Sequence, residues 1–140
     1  MPLISFSVFK EKVQNGTKRQ TIRELRKYPI KIDDRLYLWW KSRTPQREKL
    51  GESNCTEVFS IQIHSQYWLG KQRPLLFKFV STENLTWVTI QSDEVLEIAK
   101  RDGFNGEDDF LAFFSKRPLP IVCQVIRWSE LVTSKVSEKT

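Results

Sequence analysis

The segment from Lys18 to Arg23 combines side chains that could act on a polar substrate. Lys18 and Thr21 stand three residues apart, and Arg23 follows two residues later. A lysine desolvated beside other cations can have a lowered pKa and then serve as a base toward a threonine hydroxyl. In that chemistry Thr21 is the nucleophile, and Arg23 holds a phosphate or a developing oxyanion. Without catalysis, Lys18 and Arg23 would only contact phosphates.

The spacing of Lys18 and Thr21 demands a particular backbone. Side chains alternate along a regular strand, so two residues three apart would face opposite sides. A bulge or bend is therefore required before both can reach one cleft. The run from Lys18 to Arg23 is predicted to be a strand with one mostly polar face, directed at a groove or at solvent. We place binding without catalysis ahead of catalysis, because fold alone does not establish an activity.

Positive charge is concentrated around this strand. The chain has a net charge of +6, but residues 10–49 hold 13 Lys and Arg against 5 Asp and Glu, a local net charge of +8, and the remainder balances to −2. Cations interleaved with tyrosines and tryptophans suit a phosphate backbone with stackable bases. A solvated basic face above packed aromatic rings fits the same pattern. The predicted nucleic-acid contacts are Lys18, Arg19, Arg23, Trp39, Lys41 and Arg43.

Short strands must position these residues. Alternating apolar and polar side chains predict strands over residues 34–41 and 58–64. In the first of these, Trp40 shares the face of Leu36 and Leu38, so Trp39 is expected to be the more exposed ring and a stacking platform. Apolar or β-branched runs predict further strands. They cover residues 3–6, 75–80, 86–90 and 121–128, and the strands at 75–80 and 86–90 are predicted to pair as a hairpin around residues 81–84.

Helices are few in this sequence. Ser7 and Ser92 are predicted to cap two of them, and a third begins near Asn105-Gly106 with Phe110, Phe113 and Phe114 on one buried stripe. Residues 42–54 are charged and are predicted to be a long connection. Many strands with few helices, in an order that does not alternate, predict an α+β fold: a small β-barrel of mixed or antiparallel strands with short helices at one end.

Composition excludes several classes of protein. A length of 140 residues with 39% hydrophobic residues fits one domain, taken as residues 1–130, with residues 131–140 as a frayed tail. Cys55, Cys123 and His64 are too few for a disulfide framework or a zinc site, so neither a metal nor another cofactor is expected. No secretory signal and no apolar run long enough to span a bilayer is visible, so we expect a cytoplasmic protein without a membrane partner.

Three stretches resemble a known family. Asn15 to Arg23 (NGTKRQTIR) is similar to the Gly-x-Lys-x-x-Thr-Ile-Arg signature of ASCH domains, which belong to the PUA-like superfamily. Ile98 to Phe104 (IAKRDGF), followed by the helix from Phe110 to Phe114, resembles the family's Ala-x-x-Asp-Gly-Phe element and its aromatic helix. The stretch from Leu38 to Gly51 resembles a longer ASCH subgroup, although Asp33-Asp34 stands where the family has Gly-Asp. Together these resemblances cover roughly residues 3–128.

The resemblance implies a PUA-like β-barrel whose cleft binds RNA or a nucleotide-like ligand. It also implies an alternative, since one bacterial relative is an amidohydrolase that removes the acetyl group from N4-acetylcytidine with a Lys, a Thr and an acidic residue. Those roles map onto Lys18, Thr21 and Asp102, where the relative has Glu in place of Asp102. A metal-free amidohydrolase or ribonuclease is therefore the second hypothesis, beside an RNA-binding domain.

Overall fold

The computed structural model describes residues 3–68, 70–81, 86–116 and 118–130. It contains seven strands and three short helices. In chain order they are β1 (Leu3–Phe6), α1 (Lys10–Gln14), β2 (Gln20–Glu24), β3 (Arg35–Trp40), β4 (Glu48–Trp68), β5 (Lys71–Ser81), β6 (Thr86–Thr89), α2 (Ser92–Arg101), α3 (Glu107–Phe114) and β7 (Ile121–Trp128). This composition confirms a sheet-dominated α+β fold. The predicted tail at 131–140 and residues 82–84 of the predicted turn at 81–84 lie outside the described residues.

The strands form one mixed sheet. Its path runs β1-β3-β4-β5-β6, with β7 beside β4 and β2 beside β7. Only β1 and β3 are parallel among the described pairs. The 21-residue β4 is the common partner, since its first part pairs with β3, its middle with β7 and its end with β5.

The predicted barrel is not observed. Closure would require the edge strands of the sheet to pair with one another, and no pairing among β1, β2 and β6 is present in the described strands. Helices α2 and α3 instead cover the sheet, where Val95, Ile98 and Phe110 pack against Ile61 and other strand residues.

The core has two parts. The helix-side core joins α2 and α3 to β2, β4, β5 and β7 through residues such as Ile22, Leu76 and Val125. The second core lies around β1 and β3 and includes Phe6 and Leu36. Burying each of these large side chains contributes roughly 1.5–3 kcal/mol relative to an exposed position.

Three predictions about local structure were wrong. Neither Ser7 nor Ser92 is a cap, because α1 starts after Phe9 and α2 starts at Ser92 itself, after Gln91. The predicted connection at 42–54 is strand from Glu48 onward, because this polar stretch pairs with β3. Phe113 is 39% exposed although its stripe was predicted to be buried, since its ring lines two cavities.

Candidate functional site

A bend before β2 brings Lys18 and Thr21 to the same side of the chain. Gly16 takes a left-handed φ of 81°, and the Lys18 amide donates to the Lys12 carbonyl at 2.8 Å. Regular strand geometry begins only at Gln20. Lys18 therefore escapes the alternation that would have pointed it away from Thr21, and both side chains line one cavity.

This cavity, called here the aromatic cavity, has a volume of about 350 Å³. Its polar lining includes Lys18, Thr21, Arg23 and Asp102. Its apolar lining includes five phenylalanines: Phe6, Phe9, Phe104, Phe113 and Phe114. Planar ring surfaces beside a few convergent polar groups are typical of a small-molecule site.

Lys18 and Asp102 form a buried ion pair at this cavity. Lys18 is 3% exposed and Asp102 is 5% exposed. The Lys18 Nζ lies 3.3 Å from Asp102 Oδ2 and donates to the Asp102 main-chain oxygen at 2.5 Å. Both landmarks of the ASCH resemblance contribute to this contact, since the two residues are 84 positions apart in the chain.

Gln20 supports the pair and was missed in the sequence. Its side chain is buried, and its Nε2 donates to the Ile98 carbonyl at 2.9 Å and to Asp102 Oδ1 at 3.4 Å. Arg127 Nε in turn donates to Gln20 Oε1 at 3.0 Å. The polar character of Gln20 suggested exposure, but its spacing of two from the apolar Ile22 was the available sign that it faces inward.

Burial shifts the pKa values of both ionised groups. It lowers the pKa of Lys18 from its ordinary 10.5, although the Asp102 carboxylate opposes this shift. It raises the pKa of Asp102 above its ordinary 3.8, although Lys18 and Gln20 oppose that shift. Both directions follow because an environment poor in water disfavours the charged form. The proton affinities of the two groups are thereby brought closer together, which eases proton transfer between them.

Two phenylalanine rings also face the Lys18 ammonium. Its Nζ lies 5.1 Å from the ring centroid of Phe9 and 5.7 Å from that of Phe6, within the range of cation–π attraction. Phe9 has a φ of 63°, a region that bulky residues seldom adopt. A Cβ added at Gly103 would lie 3.0 Å from the Phe9 ring. Gly103 therefore permits the close approach that places Phe9 against the ion pair.

Thr21 is held by the neighbouring arginine. Arg23 Nε donates to Thr21 Oγ1 at 3.0 Å, and the guanidinium carbon of Arg23 lies 5.0 Å from the Phe6 ring centroid. In the described part of the chain no hydrogen bond joins Lys18 to Thr21. The base-to-nucleophile contact that a hydrolase needs is thus not formed between these two side chains.

A second cavity adjoins the first. This basic cavity, of about 560 Å³, shares Arg23 and Arg26 with the aromatic cavity and adds Lys41 and Arg43. None of its described lining residues is acidic. Arg26 was not singled out from the sequence, because it is one of 13 cations among residues 10–49.

The structure does not bring every predicted contact to these cavities. Lys18 and Arg23 line the aromatic cavity, and Lys41 and Arg43 line the basic one. Arg19 is exposed, and its Nε donates to the Gly16 carbonyl at 3.2 Å. Arg19 and Trp39 line neither cavity. Trp39 and Trp40 are both half-buried, and Trp40 packs against the second core.

Comparison with known proteins gave no relative: no family model, curated protein or solved structure matches the chain. The described residues hold no group of three or more His, Cys, Asp or Glu side chains that could bind a metal ion. Cys55 and Cys123 are buried, and neither forms a disulfide within the described part of the chain. Across the same described ranges, none of the helices has the length and apolar character that crossing a membrane requires.

Proposed function

We propose that this chain is an ASCH-type, PUA-like domain that binds RNA or a nucleotide-like ligand in the aromatic cavity. The observation that carries the proposal is the meeting of two distant landmarks at one cavity: Lys18, Thr21 and Arg23 from the first, and Asp102 from the second. Chance similarity in two short motifs would not require their polar residues to converge.

The lining of the cavity suits a nucleobase. A volume of about 350 Å³ lies within the range of small-ligand pockets, at roughly 300–1,000 Å³. Phenylalanine rings offer surfaces on which a base can stack, an interaction of roughly 1–3 kcal/mol per base. Thr21 and Asp102 can contact polar base edges, and Arg23 can contact phosphate.

The departure at Asp33 is compatible with the ASCH relationship. Asp33, which stands where the family has glycine, adopts a left-handed φ of 73°. Aspartate is among the few residues other than glycine that enter this region. The turn between Ile30 and Arg35 thus has a backbone that glycine would also adopt.

Titration with single-stranded RNA over a salt series tests the proposal. We expect log Kd to vary linearly with log salt, because binding releases counterions from phosphates. Arg23→Gln should weaken binding and reduce the salt slope by roughly 0.7, the single-strand value for one lost phosphate contact. Arg19→Gln is the matched control, since Arg19 is in the same segment but lines neither cavity. A slope near zero in the unaltered protein would contradict phosphate recognition.

The convergence of Lys18, Thr21 and Asp102 supports a second candidate, a metal-free amidohydrolase. Thr21 Oγ would attack the amide carbonyl carbon while Lys18, as the free amine, takes the hydroxyl proton. Asp102, in its protonated form, would supply the proton that the leaving amine needs as the carbon–nitrogen bond breaks. Water would then cleave the threonyl ester, releasing the carboxylic acid and restoring Thr21.

Turnover of N4-acetylcytidine distinguishes this candidate from binding alone. Active protein should release acetate, and Thr21→Val, which keeps the shape of the side chain but removes the nucleophile, should abolish release. Val122→Thr is the control for folding, because Val122 is 40% exposed and lies outside the cavity. RNA cleavage measured with the same variants examines the ribonuclease form of the hypothesis. Equal turnover in Thr21→Val would remove Thr21 from the mechanism.

A further inference from the structure

We propose that the ligand is a nucleotide within a single strand of RNA, with its base in the aromatic cavity and a flanking phosphate in the basic cavity. This inference rests on the proposed function and deepens it, because it names a polynucleotide rather than a free nucleoside as the ligand. Three observations support it: the lining that the two cavities share, their difference in charge and the hydrogen bonds that hold the segment carrying Lys41 and Arg43.

The two cavities adjoin, because five residues line both of them. They share Ser5, Phe6 and Ser7 from the end of β1, together with Arg23 and Arg26. The Arg23 side chain lines both cavities. It is held there by its hydrogen bond to Thr21 Oγ1 and by its contact with the Phe6 ring. A ligand longer than one base can therefore enter the first cavity and continue into the second past Arg23.

Charge differs sharply between the two cavities. The aromatic cavity contains two acids, Glu24 and Asp102, beside three cations, one of which is the buried Lys18. The described lining of the basic cavity contains four cations, Arg23, Arg26, Lys41 and Arg43, and no acid. An anionic phosphate thus gains most in the basic cavity, and a planar base gains most against the phenylalanines.

The segment that carries Lys41 and Arg43 is held in place by local bonds. The Lys41 amide donates to the Phe6 carbonyl at 2.9 Å, and the Ser42 amide donates to Ser5 Oγ at 3.1 Å. The Thr44 amide and hydroxyl both donate to the Lys41 carbonyl, at 3.0 and 2.9 Å. These bonds tie the turn to β1, which also borders the aromatic cavity. The distance between the two cavities is consequently fixed by the fold.

A direct comparison of ligand lengths tests the inference. The probes are the four ribonucleosides, which carry no phosphate, and the four homopolymeric hexaribonucleotides, titrated calorimetrically at one salt concentration. At least one hexanucleotide should bind about tenfold more tightly than its nucleoside, the gain expected from one charge-assisted contact. The double variant Lys41→Gln/Arg43→Gln should lose that advantage.

The matched control is Lys27→Gln/Lys31→Gln. It removes the same charge from exposed positions, also within residues 10–49, that line neither cavity. Thermal melting verifies that each double variant folds, and single Lys41→Gln serves if the double variant does not. Equal affinity for nucleoside and hexanucleotide would overturn this inference alone. An advantage that survives in Lys41→Gln/Arg43→Gln would do the same. Absence of binding by every probe would overturn the proposed function as well.

Discussion

The aromatic cavity and the basic cavity share two arginines, but the first also holds a buried ion pair and the second also holds exposed cations. In the aromatic cavity Lys18 and Asp102 are buried and paired with each other. In the basic cavity Lys41 and Arg43 are exposed, and the described lining offers them no acid. Buried ions are costly unless each is compensated, whereas exposed cations remain hydrated. Substitutions in the buried pair of the aromatic cavity should therefore lower the free energy of unfolding strongly. Substitutions of the exposed cations in the basic cavity should change it little.

The largest expected effect comes from breaking the buried pair. Asp102→Asn leaves the Lys18 charge without a carboxylate and should reduce the free energy of unfolding by about 3–5 kcal/mol. Urea denaturation measures the change. Glu97→Gln is the control, because it removes the exposed partner of Arg101 on the same helix and should cost less than about 1 kcal/mol. Equal losses in the two variants would contradict the larger contribution to stability expected of the buried pair.

A smaller loss is expected from Gly103→Ala, which presses on Phe9, a residue that lines the same cavity. Gly103 has a φ of 108°, and the added Cβ would press on the Phe9 ring at 3.0 Å. Strain of this kind costs about 1–3 kcal/mol. Gly106→Ala provides the comparison, since a Cβ there meets nothing within 4 Å. Thermal denaturation of both variants should rank Gly103→Ala as the less stable, and the reverse order would contradict the packing described for Phe9.

Alkaline pH should reveal the burial of Lys18. Because burial lowers its pKa below 10.5, the unfolded chain binds more protons than the folded chain between the folded pKa and 10.5. The contribution of Lys18 to the free energy of unfolding therefore rises with pH between its folded pKa and 10.5. It is lost as the pH falls through the folded pKa. The free energy of unfolding of the unaltered protein, minus that of Lys18→Met, should increase with pH between these two values. A constant difference would show that Lys18 titrates normally.

The smallest effect on stability is expected in the basic cavity. Lys41→Gln and Arg43→Gln each should change the free energy of unfolding by no more than about 1 kcal/mol, because both side chains are exposed and an exposed cation–π contact, such as that of Lys41 Nζ with the Trp40 ring at 5.4 Å, contributes little. Chemical denaturation of each single variant measures this. A loss comparable to that of Asp102→Asn would erase the contrast between the two cavities.

Local patterns predicted much of this fold. Alternation of apolar residues predicted the strand at Arg35–Trp40, and an apolar run predicted that at Ile121–Trp128. The first part of β4 was missed because residues 48–54 are mostly polar and include Gly51, and glycine among polar residues is typical of a turn. Its strand conformation depends on pairing with β3, a partner supplied by tertiary structure. Barrel closure was wrong for a similar reason, since strand pairing is decided by long-range packing.

The candidate site was partly predictable. The spacing of Lys18 and Thr21 showed that a bend was needed, and the structure contains one before Gln20. Only the family resemblance joined Asp102 to them, because nothing local links residues so far apart. The part played by Gln20 in holding Asp102 could not be predicted from its polar character. Its environment is created by α2, which lies distant in sequence.

The pairing of β2 with β7 also has a consequence for how the protein is made. In the described part of the chain β7 is the only strand partner of β2, and their residues are about a hundred positions apart. Contacts between such distant segments form slowly, after much of the chain has been ordered. During synthesis, Lys18 and Thr21 emerge from the ribosome long before the strand that holds them in place. Ligand binding should consequently appear late in refolding, and its onset can serve as a kinetic signal that the chain has reached its native topology.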